Sequence, residues 1–154
     1  MTTAAGRLVR WSELEAEAPE LAAAGRVLLY ASGDGMGYLA TIRSDGGPRI
    51  HPVSPFIAAG GLHVMLIDSP KRSDLYRDPR YALHSAAGEL RDEFTLLGEA
   101  TAVDDPRERG AVEADLGDPV PEGNDLFALR IGRAHLATYD GTGEWHPPFH
   151  VRWP

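Results

Sequence analysis

One short segment near the middle of the chain combines a helix start with two basic residues. In Ser69-Pro70-Lys71-Arg72, a residue that favours the helix N-cap precedes a proline that favours the first helical position. The free N–H groups and positive dipole of a helix start favour a phosphate. Two cations in a first turn oppose that dipole unless an anion lies among them, so Ser69, Lys71 and Arg72 are candidate anion ligands. The alternative is a solvated Lys–Arg pair beside an ordinary cap.

A second cationic pair is formed by Arg49 and His51. On a β-strand, residues two positions apart project to the same face, whereas Ile50 between them projects to the other. Arg49 and His51 are therefore candidates to contact the same anion. The alternative is a surface arginine beside a hydrogen-bonded histidine.

The sequence carries no recognisable catalytic or metal-binding motif. It has no cysteine, no G-x-S-x-G nucleophile elbow and no H-E-x-x-H pair. The six histidines are scattered, and two prolines between His146 and His150 keep them from sharing a helical face. We therefore predict no metal site and assign no catalytic side chain.

Composition limits the class of protein. A chain of 154 residues with 43% hydrophobic and 25% charged residues is typical of one globular domain, here residues 1–154. A net charge of −8 disfavours nucleic acid as a partner. The sequence has no signal-like N-terminus and no apolar run long enough to span a membrane, so we expect a cytoplasmic protein without membrane contact.

The pattern of apolar residues and turn residues predicts a mainly β protein. An N-terminal helix is expected over about residues 12–24, opened by a capping box of Ser12 and Glu15, and followed by a buried strand over 26–31. The glycine-rich segment 32–37 is interpreted as a hairpin loop rather than a phosphate loop. Later strands are predicted at 38–43, 48–58 (irregular because of its prolines), 62–67, 81–87, 94–103 and 126–139, with short helices after Ser69 and Asp105. The tally of roughly six strands and three helices indicates an antiparallel barrel with helices around it.

Three segments together resemble a known family. LATIRSDGGPRIHPVSPF, SPKRSDLYRDPRYALH and FTLLGEATAV, in this order between about Val27 and Val103, resemble the pyridoxamine 5'-phosphate oxidase-like FMN-binding split-barrel family. The resemblance implies a mainly β (α+β) fold, a six-stranded antiparallel split β-barrel with Greek-key character and peripheral short helices. It also implies a homodimer with two cofactor sites at the subunit interface.

The resemblance assigns roles to particular residues. The FMN phosphate would be held by Arg49, Ser69 and Lys71, with Arg72 and Arg80 as looser candidates. The isoalloxazine ring would lie along Pro52, Val53 and Ser54 and along the segment around Ile67, while His51 would face the flavin or a substrate. Arg80 could equally pair with Asp78 or Asp74.

The expected function is that of a flavin-dependent oxidoreductase acting on an unidentified small molecule. A bound flavin carries the redox chemistry itself, which accounts for the missing catalytic motif. The alternatives are a reductase that uses the deazaflavin coenzyme F-420, and a non-catalytic flavin- or heme-binding protein. Arg152 is the only arginine of the tail, residues 145–154, which disfavours vitamin B6 oxidation because that activity is associated with paired arginines there. The aromatic residues of this tail would wall in a planar substrate or form a strand at the barrel or dimer interface: Trp145, Phe149 and Trp153.

Overall fold

One antiparallel sheet, curled into a half-barrel, forms the body of the protein. The structure is a computed structural model that describes residues 6–87, 91–139 and 141–154. The strands are β1 (Gly37–Ile42), β2 (Pro48–Val53), β3 (Phe56–Ala58), β4 (Gly61–Leu66), β5 (Arg80–Ser85), β6 (Glu93–Ala102), β7 (Asp125–Thr138) and β8 (Phe149–Trp153). The helices are α1 (Trp11–Glu17), α2 (Pro19–Leu29), α3 (Pro70–Arg77) and α4 (Pro106–Leu116). The predicted class is confirmed, although the described residues form eight strands rather than six.

The strand order is β2-β1-β5-β6-β7-β4-β3, with β8 paired to β7. The longest strand, β7, pairs with β6 along one edge. Its other edge is shared by β4, by a bridge from Val9 to Ile131, and by β8. The C-terminal tail is thus a strand of the sheet, as one of the two interpretations of the sequence expected. The core lies between the concave face and the N-terminal helices and includes Trp11, Leu14 and Phe94.

The predictions for residues 26–37 were wrong in two respects. The apolar run at 26–31 is not a strand, because α2 continues to Leu29. Its buried positions follow a helical period, which a short apolar run does not reveal on its own: Leu21, Ala22, Gly25, Leu28 and Leu29. The glycine-rich segment 32–37 therefore joins a helix to β1 and is not a hairpin loop.

The predicted capping box was also misplaced. Helix α1 begins at Trp11, and the Arg10 backbone N–H donates to the Glu13 carboxylate over 2.7 Å. Ser12 lies inside the helix, and its backbone N–H donates to Gly60 O. Glu15 instead accepts hydrogen bonds from the Trp11 indole and the Arg26 guanidinium. The single helix expected over 12–24 is two helices, since Pro19 starts the second.

The strand predicted over 48–58 is two strands, β2 and β3. The break between them lies among the prolines that predicted irregularity. Strand β2 ends at Val53, the chain turns at Ser54 and Pro55, and β3 follows at the opposite end of the sheet order. Among the described residues strand β2 pairs with β1 alone, so it is an edge strand. Proline is tolerated at such an edge because its missing N–H is not needed by the ladder.

Two further features complete the fold. Strand β6 contains a bulge between Leu97 and Gly98, where it passes β7. None of the described helices is long and apolar enough to cross a membrane.

Candidate functional site

The predicted helix start is present. Pro70 is the first residue of α3, and Ser69 precedes it in extended conformation as the N-cap. The Ser69 hydroxyl donates to the Ile67 carbonyl over 2.9 Å rather than capping a helical N–H. Lys71, in the first turn, is half-buried and makes no hydrogen bond or ion pair with any residue in the described ranges. Its charge is therefore available to a ligand.

Arg49 reaches the same helix from the edge strand. Its Nε donates to Oδ2 of Asp74 over 2.7 Å. Asp74 follows Lys71 by three positions in α3, and residues three apart share one face of a helix. The predicted residues Arg49 and Lys71 are thus brought to the same side of α3. Only Nε of this guanidinium is hydrogen-bonded within the described part of the chain, which leaves its two terminal nitrogens available.

Asp74 is the residue that sequence reasoning missed. Its carboxylate is only 3% exposed and also accepts hydrogen bonds from Thr41 Oγ1 at 2.8 Å and from Arg77 Nη2 at 2.9 Å. Burial alone would raise the pKa of this carboxyl, but the bonds from Arg77, Arg49 and Thr41 outweigh it and lower the pKa to about 2. In the sequence Asp74 resembles any acidic residue on a solvated helix. One signal was available for its partners. The register of the β1–β2 hairpin pairs Thr41 with Arg49, so both side chains project from the same face of the hairpin.

Two other predicted arginines are engaged elsewhere. Arg72 donates to Asp68 over 2.8 Å and lies 3.4 Å from the Asp125 carboxylate, so its charge is balanced by acids. Arg80 forms two hydrogen bonds to Asp78, at 2.9 and 2.6 Å, which was one of the alternatives considered for it. The structure therefore places Arg49 and Lys71 on one side of α3, whereas Arg72 and Arg80 pair with acidic residues.

The remaining residues that were predicted to contact the flavin lie at two separate places in the fold. His51 and Val53 lie on the same face of β2 as Arg49, while Ile67 is exposed just before α3. Pro52, Val53 and Ser54 line one wall of an open groove of about 330 Å³, and residues 32 and 34–36 line the other. Gly35 approaches so closely that a Cβ there would lie 1.7 Å from the Pro55 carbonyl oxygen. The glycine-rich segment therefore shapes the groove beside the predicted ring-binding residues.

A second cleft lies where β8 joins the sheet. It measures about 460 Å³ and combines apolar and cationic side chains, among them Leu97, Arg133, Arg152 and Trp153. Two histidine rings on its border are stacked, and His135 Nε2 lies 2.8 Å from His150 Nδ1. The other tail aromatics, Trp145 and Phe149, are exposed in the single chain.

One row on the outer face of the sheet is apolar across four strands. Cross-strand pairing aligns Ile50, Ala40, Ala82 and Leu97 in one row over β2, β1, β5 and β6. Ile50 is 67% exposed and Leu97 is 41% exposed, although both lie within regular strands. Contiguous exposed apolar surface of this kind marks an interaction site more often than a solvated face.

No protein-family model and no curated protein matches this sequence. Solved structures do match in fold. One is a heme-binding protein from Mycobacterium smegmatis, with 20% identity and a TM-score of 0.60 over 84% of this chain and 57% of that chain. This chain thus spans little more than half of that protein. HutZ, the heme storage protein from Vibrio cholerae, is 18% identical with a TM-score of 0.53, over 77% of this chain and 89% of that one.

A third similar structure is a protein of Clostridium acetobutylicum, related to general stress protein 26 and described as of the pyridoxinephosphate oxidase family. It is 12% identical with a TM-score of 0.59 over 92% of this chain and 94% of that chain. At these identities the likeness is one of fold. The chain has the split-barrel fold of the pyridoxamine phosphate oxidase-like proteins.

Proposed function

We propose that this protein is an FMN-binding oxidoreductase whose cofactor phosphate is held by Arg49, Lys71 and the start of α3. The observation that carries the proposal is the meeting of Arg49 with α3 through Asp74, on the side of the helix that carries Lys71. A terminal phosphate is a dianion near neutral pH. Arg49 and Lys71 are two cations beside the single carboxylate of Asp74, so these three side chains keep a net positive charge.

The residues present fit an anionic cofactor end. Two terminal nitrogens of Arg49 and the ammonium of Lys71 have no partner among the described residues, and charged N–H groups form the strongest hydrogen bonds to phosphate. The Ser69 hydroxyl, which donates to the Ile67 carbonyl, would have to turn away from it to donate to a phosphate, and the helix dipole adds to the attraction. The groove at Pro52, Val53 and Ser54 offers backbone groups to a planar ring. FMN, when bound, supplies hydride and electron transfer, whereas the chain's own residues bind it, orient it and limit access of water.

The apolar row on the outer face of the sheet supports a homodimer. A row that runs from Ile50 to Leu97, with alanines between, offers flat apolar surface that a second copy can cover. Ala40 and Ala82 leave room in the middle of the row for larger side chains of a partner. Burying such surface is the main source of association free energy. The substrate would be a small molecule that enters beside the cofactor.

The first experiment is the visible spectrum of the freshly purified full chain. FMN absorbs near ~450 nm, a deazaflavin near ~420 nm, and heme gives a Soret band, as cofactor chemistry dictates. A Soret band in place of the flavin bands would favour the heme-binding alternative, which the two heme proteins of similar fold keep under consideration. Bleaching of bound FMN by NAD(P)H would favour an enzyme over a carrier.

Lys71 provides the sharpest test of the phosphate site. We expect Lys71→Gln to weaken FMN binding by about 1.5–3 kcal/mol, roughly 10- to 150-fold in Kd, because a charged hydrogen bond is lost. Riboflavin lacks the phosphate, so its affinity should stay within about twofold of the unmodified chain's. Both constants are measured by quenching of flavin fluorescence.

Two variants serve as controls for Lys71. Lys71→Arg keeps the charge and should retain most of the affinity for FMN. Arg107→Gln removes an exposed cation from α4, which lies elsewhere in the fold, and should leave FMN binding unchanged. Equal loss of FMN and riboflavin affinity in Lys71→Gln would place the phosphate somewhere other than α3.

A further inference from the structure

Asp74 differs from the other acidic residues around α3 in its surroundings. Asp74 is only 3% exposed, whereas Asp68 and Asp78 at the ends of the helix remain in contact with solvent. A buried carboxylate is costly unless it is paired and hydrogen-bonded, and Asp74 accepts three hydrogen bonds. The cost of burying it indicates a specific role for this residue.

The two oxygens of Asp74 serve different partners. Oδ1 accepts from Arg77, which lies on the same helix and is largely exposed. Oδ2 accepts from both Thr41 and Arg49, at 2.8 and 2.7 Å. Thr41 and Arg49 are cross-strand partners in β1 and β2, so both side chains leave the hairpin on one face and converge on a single atom. Oδ2 thus ties the edge of the sheet to the helix.

This arrangement fixes Arg49 in a particular way. Because Asp74 binds Nε, the planar guanidinium is held at one corner while its terminal nitrogens stay available within the described part of the chain. A bidentate pair through both terminal nitrogens would instead have consumed the groups that bind phosphate in planar fashion. Fixing a long side chain beforehand also lowers the entropy that a ligand must overcome on binding.

We propose that Asp74, assisted by Thr41, is a positioning residue that holds Nε of Arg49 so that the terminal nitrogens of Arg49 point to a phosphate at the start of α3. The proposal rests on the phosphate site proposed above. It assigns a binding role to a side chain that touches no ligand itself. It also predicts that this role depends on Oδ2 rather than on Oδ1.

The test compares the affinities for FMN and riboflavin in four variants of the full chain. In Asp74→Asn an amide replaces the carboxylate, so the charge that holds Arg49 is lost. FMN Kd should rise about tenfold, the size of one charged hydrogen bond, while riboflavin Kd changes less than about twofold. Arg49→Gln should weaken FMN binding at least as much. The double variant should be no weaker than Arg49→Gln alone, because Asp74 acts through Arg49.

The fourth variant is the matched control. Arg77→Gln removes the partner of Oδ1 and leaves the Oδ2 contacts in place, so FMN affinity should stay within about threefold of the unmodified chain's. A purely structural role for Asp74 would lower both flavin affinities together and would give additive losses in the double variant. Either result would overturn the proposal, as would an unchanged FMN Kd in Asp74→Asn. If Asp74→Asn does not fold, Thr41→Val, which removes one Oδ2 contact, takes its place with the same FMN-specific loss expected.

Binding of inorganic phosphate separates this proposal from the flavin proposal. Line broadening of the ³¹P resonance should show phosphate bound to the unmodified chain and released in Asp74→Asn. Phosphate binding that depends on Asp74, without any flavin binding, would refute the flavin function and support the role of Asp74. If the unmodified chain binds neither phosphate nor FMN, both proposals fail.

Discussion

The imidazole of His63 lies on β4 and faces the interior of the fold. It is 1% exposed, lies against the Phe56 ring, and its Nδ1 has no hydrogen-bond partner among the described residues. Burial, together with the charges of Arg10 and Arg130, lowers its pKa from 6.5 to about 4. Glu108 is the acidic side chain that lines the same small cavity. His63 is therefore held neutral in the folded chain.

This depressed pKa predicts a loss of stability in mild acid. The unfolded chain binds a proton at His63 near pH 6.5, whereas the folded chain does so only near pH 4. The contribution of neutral His63 to the free energy of unfolding is therefore complete above pH 6.5 and falls as the pH drops towards 4. Between pH 7.5 and 4.5 we expect this group to remove about 2–3 kcal/mol from the free energy of unfolding. Urea titrations at the two pH values measure the loss.

A variant isolates the contribution of His63. In His63→Gln the free energies of unfolding at the two pH values should differ by that much less, whatever the stability of the variant at neutral pH. His146→Gln, at an exposed site of the tail, should keep the full difference. Equal pH dependence in both variants would show that other groups cause the acid sensitivity.

At the level of single residues, the sequence was informative where residue type and resemblance agreed. Lys71 is the sole lysine and follows a helix-start signal, and Arg49 lies in a strand that the turn residues define. Lys71 lies in the first turn of α3 and Arg49 lies on β2, as the predicted elements required, whereas their role as phosphate ligands stays a prediction. Asp74 was missed because its role depends on burial and on the approach of β1 and β2 to α3, and neither is visible in a local pattern. The same lack of tertiary information left Arg72 among the candidates, although Asp68 and Asp125 engage it.

Among the elements, strand β6 depends on a close approach of two backbones. At the bulge, a Cβ on Gly98 would lie 1.8 Å from the Arg130 carbonyl oxygen. Backbone atoms cannot rotate out of the way as a flexible side chain can, so Gly98→Ala must separate β6 from β7. We expect a loss of at least about 2 kcal/mol in the free energy of unfolding by urea.

Gly110 provides the comparison for Gly98. It lies in α4, and a Cβ there would meet nothing within 4 Å. Gly110→Ala should be neutral or stabilising by about 0.5–1 kcal/mol, because alanine favours the helix. A loss of similar size in both variants would contradict the steric explanation.

The strands were predictable from turns and alternation, whereas the N-terminal helices were not. Strands β1, β4, β5, β6 and β7 lie within one or two residues of their predicted positions, since glycine and proline delimit them. The segment that became the end of α2 has strand-like composition, with Val27, Leu28 and Leu29 in a row. Packing of its buried face against Phe94 of β6 outweighs that preference, and a ring this close to Gly25 requires a residue without a side chain there. The pairing of β8 with β7 likewise depends on tertiary contacts.

For the whole molecule, the apolar row on the outer face supports the proposed dimer. Ile50→Glu places a charge in the exposed row over β2, β1, β5 and β6, where a second copy would have to bury it. We expect this change to dissociate the proposed dimer to monomers in sedimentation velocity, with a parallel loss of FMN affinity if the cofactor site needs both copies.

Val27→Glu is the control for this change. Val27 is similarly exposed, on α2 and away from the sheet face, so its replacement should leave the sedimentation coefficient unchanged. An unmodified chain that sediments as a monomer at all concentrations tested would contradict the dimer proposal directly.

The prolines of β2 restrict how copies of this chain can join. Pro48, Ile50 and Pro52 alternate with the residues that donate to β1, so their nitrogens point away from the sheet. Two of the three nitrogens carry no hydrogen, so Ile50 is the one of these three residues that can donate a hydrogen bond to an incoming strand. Growth by edge-to-edge addition, the route to fibrils, is blocked on this side. Replacing both prolines would let the N–H groups at positions 48 and 52 donate to an incoming strand and would therefore favour aggregation at this edge.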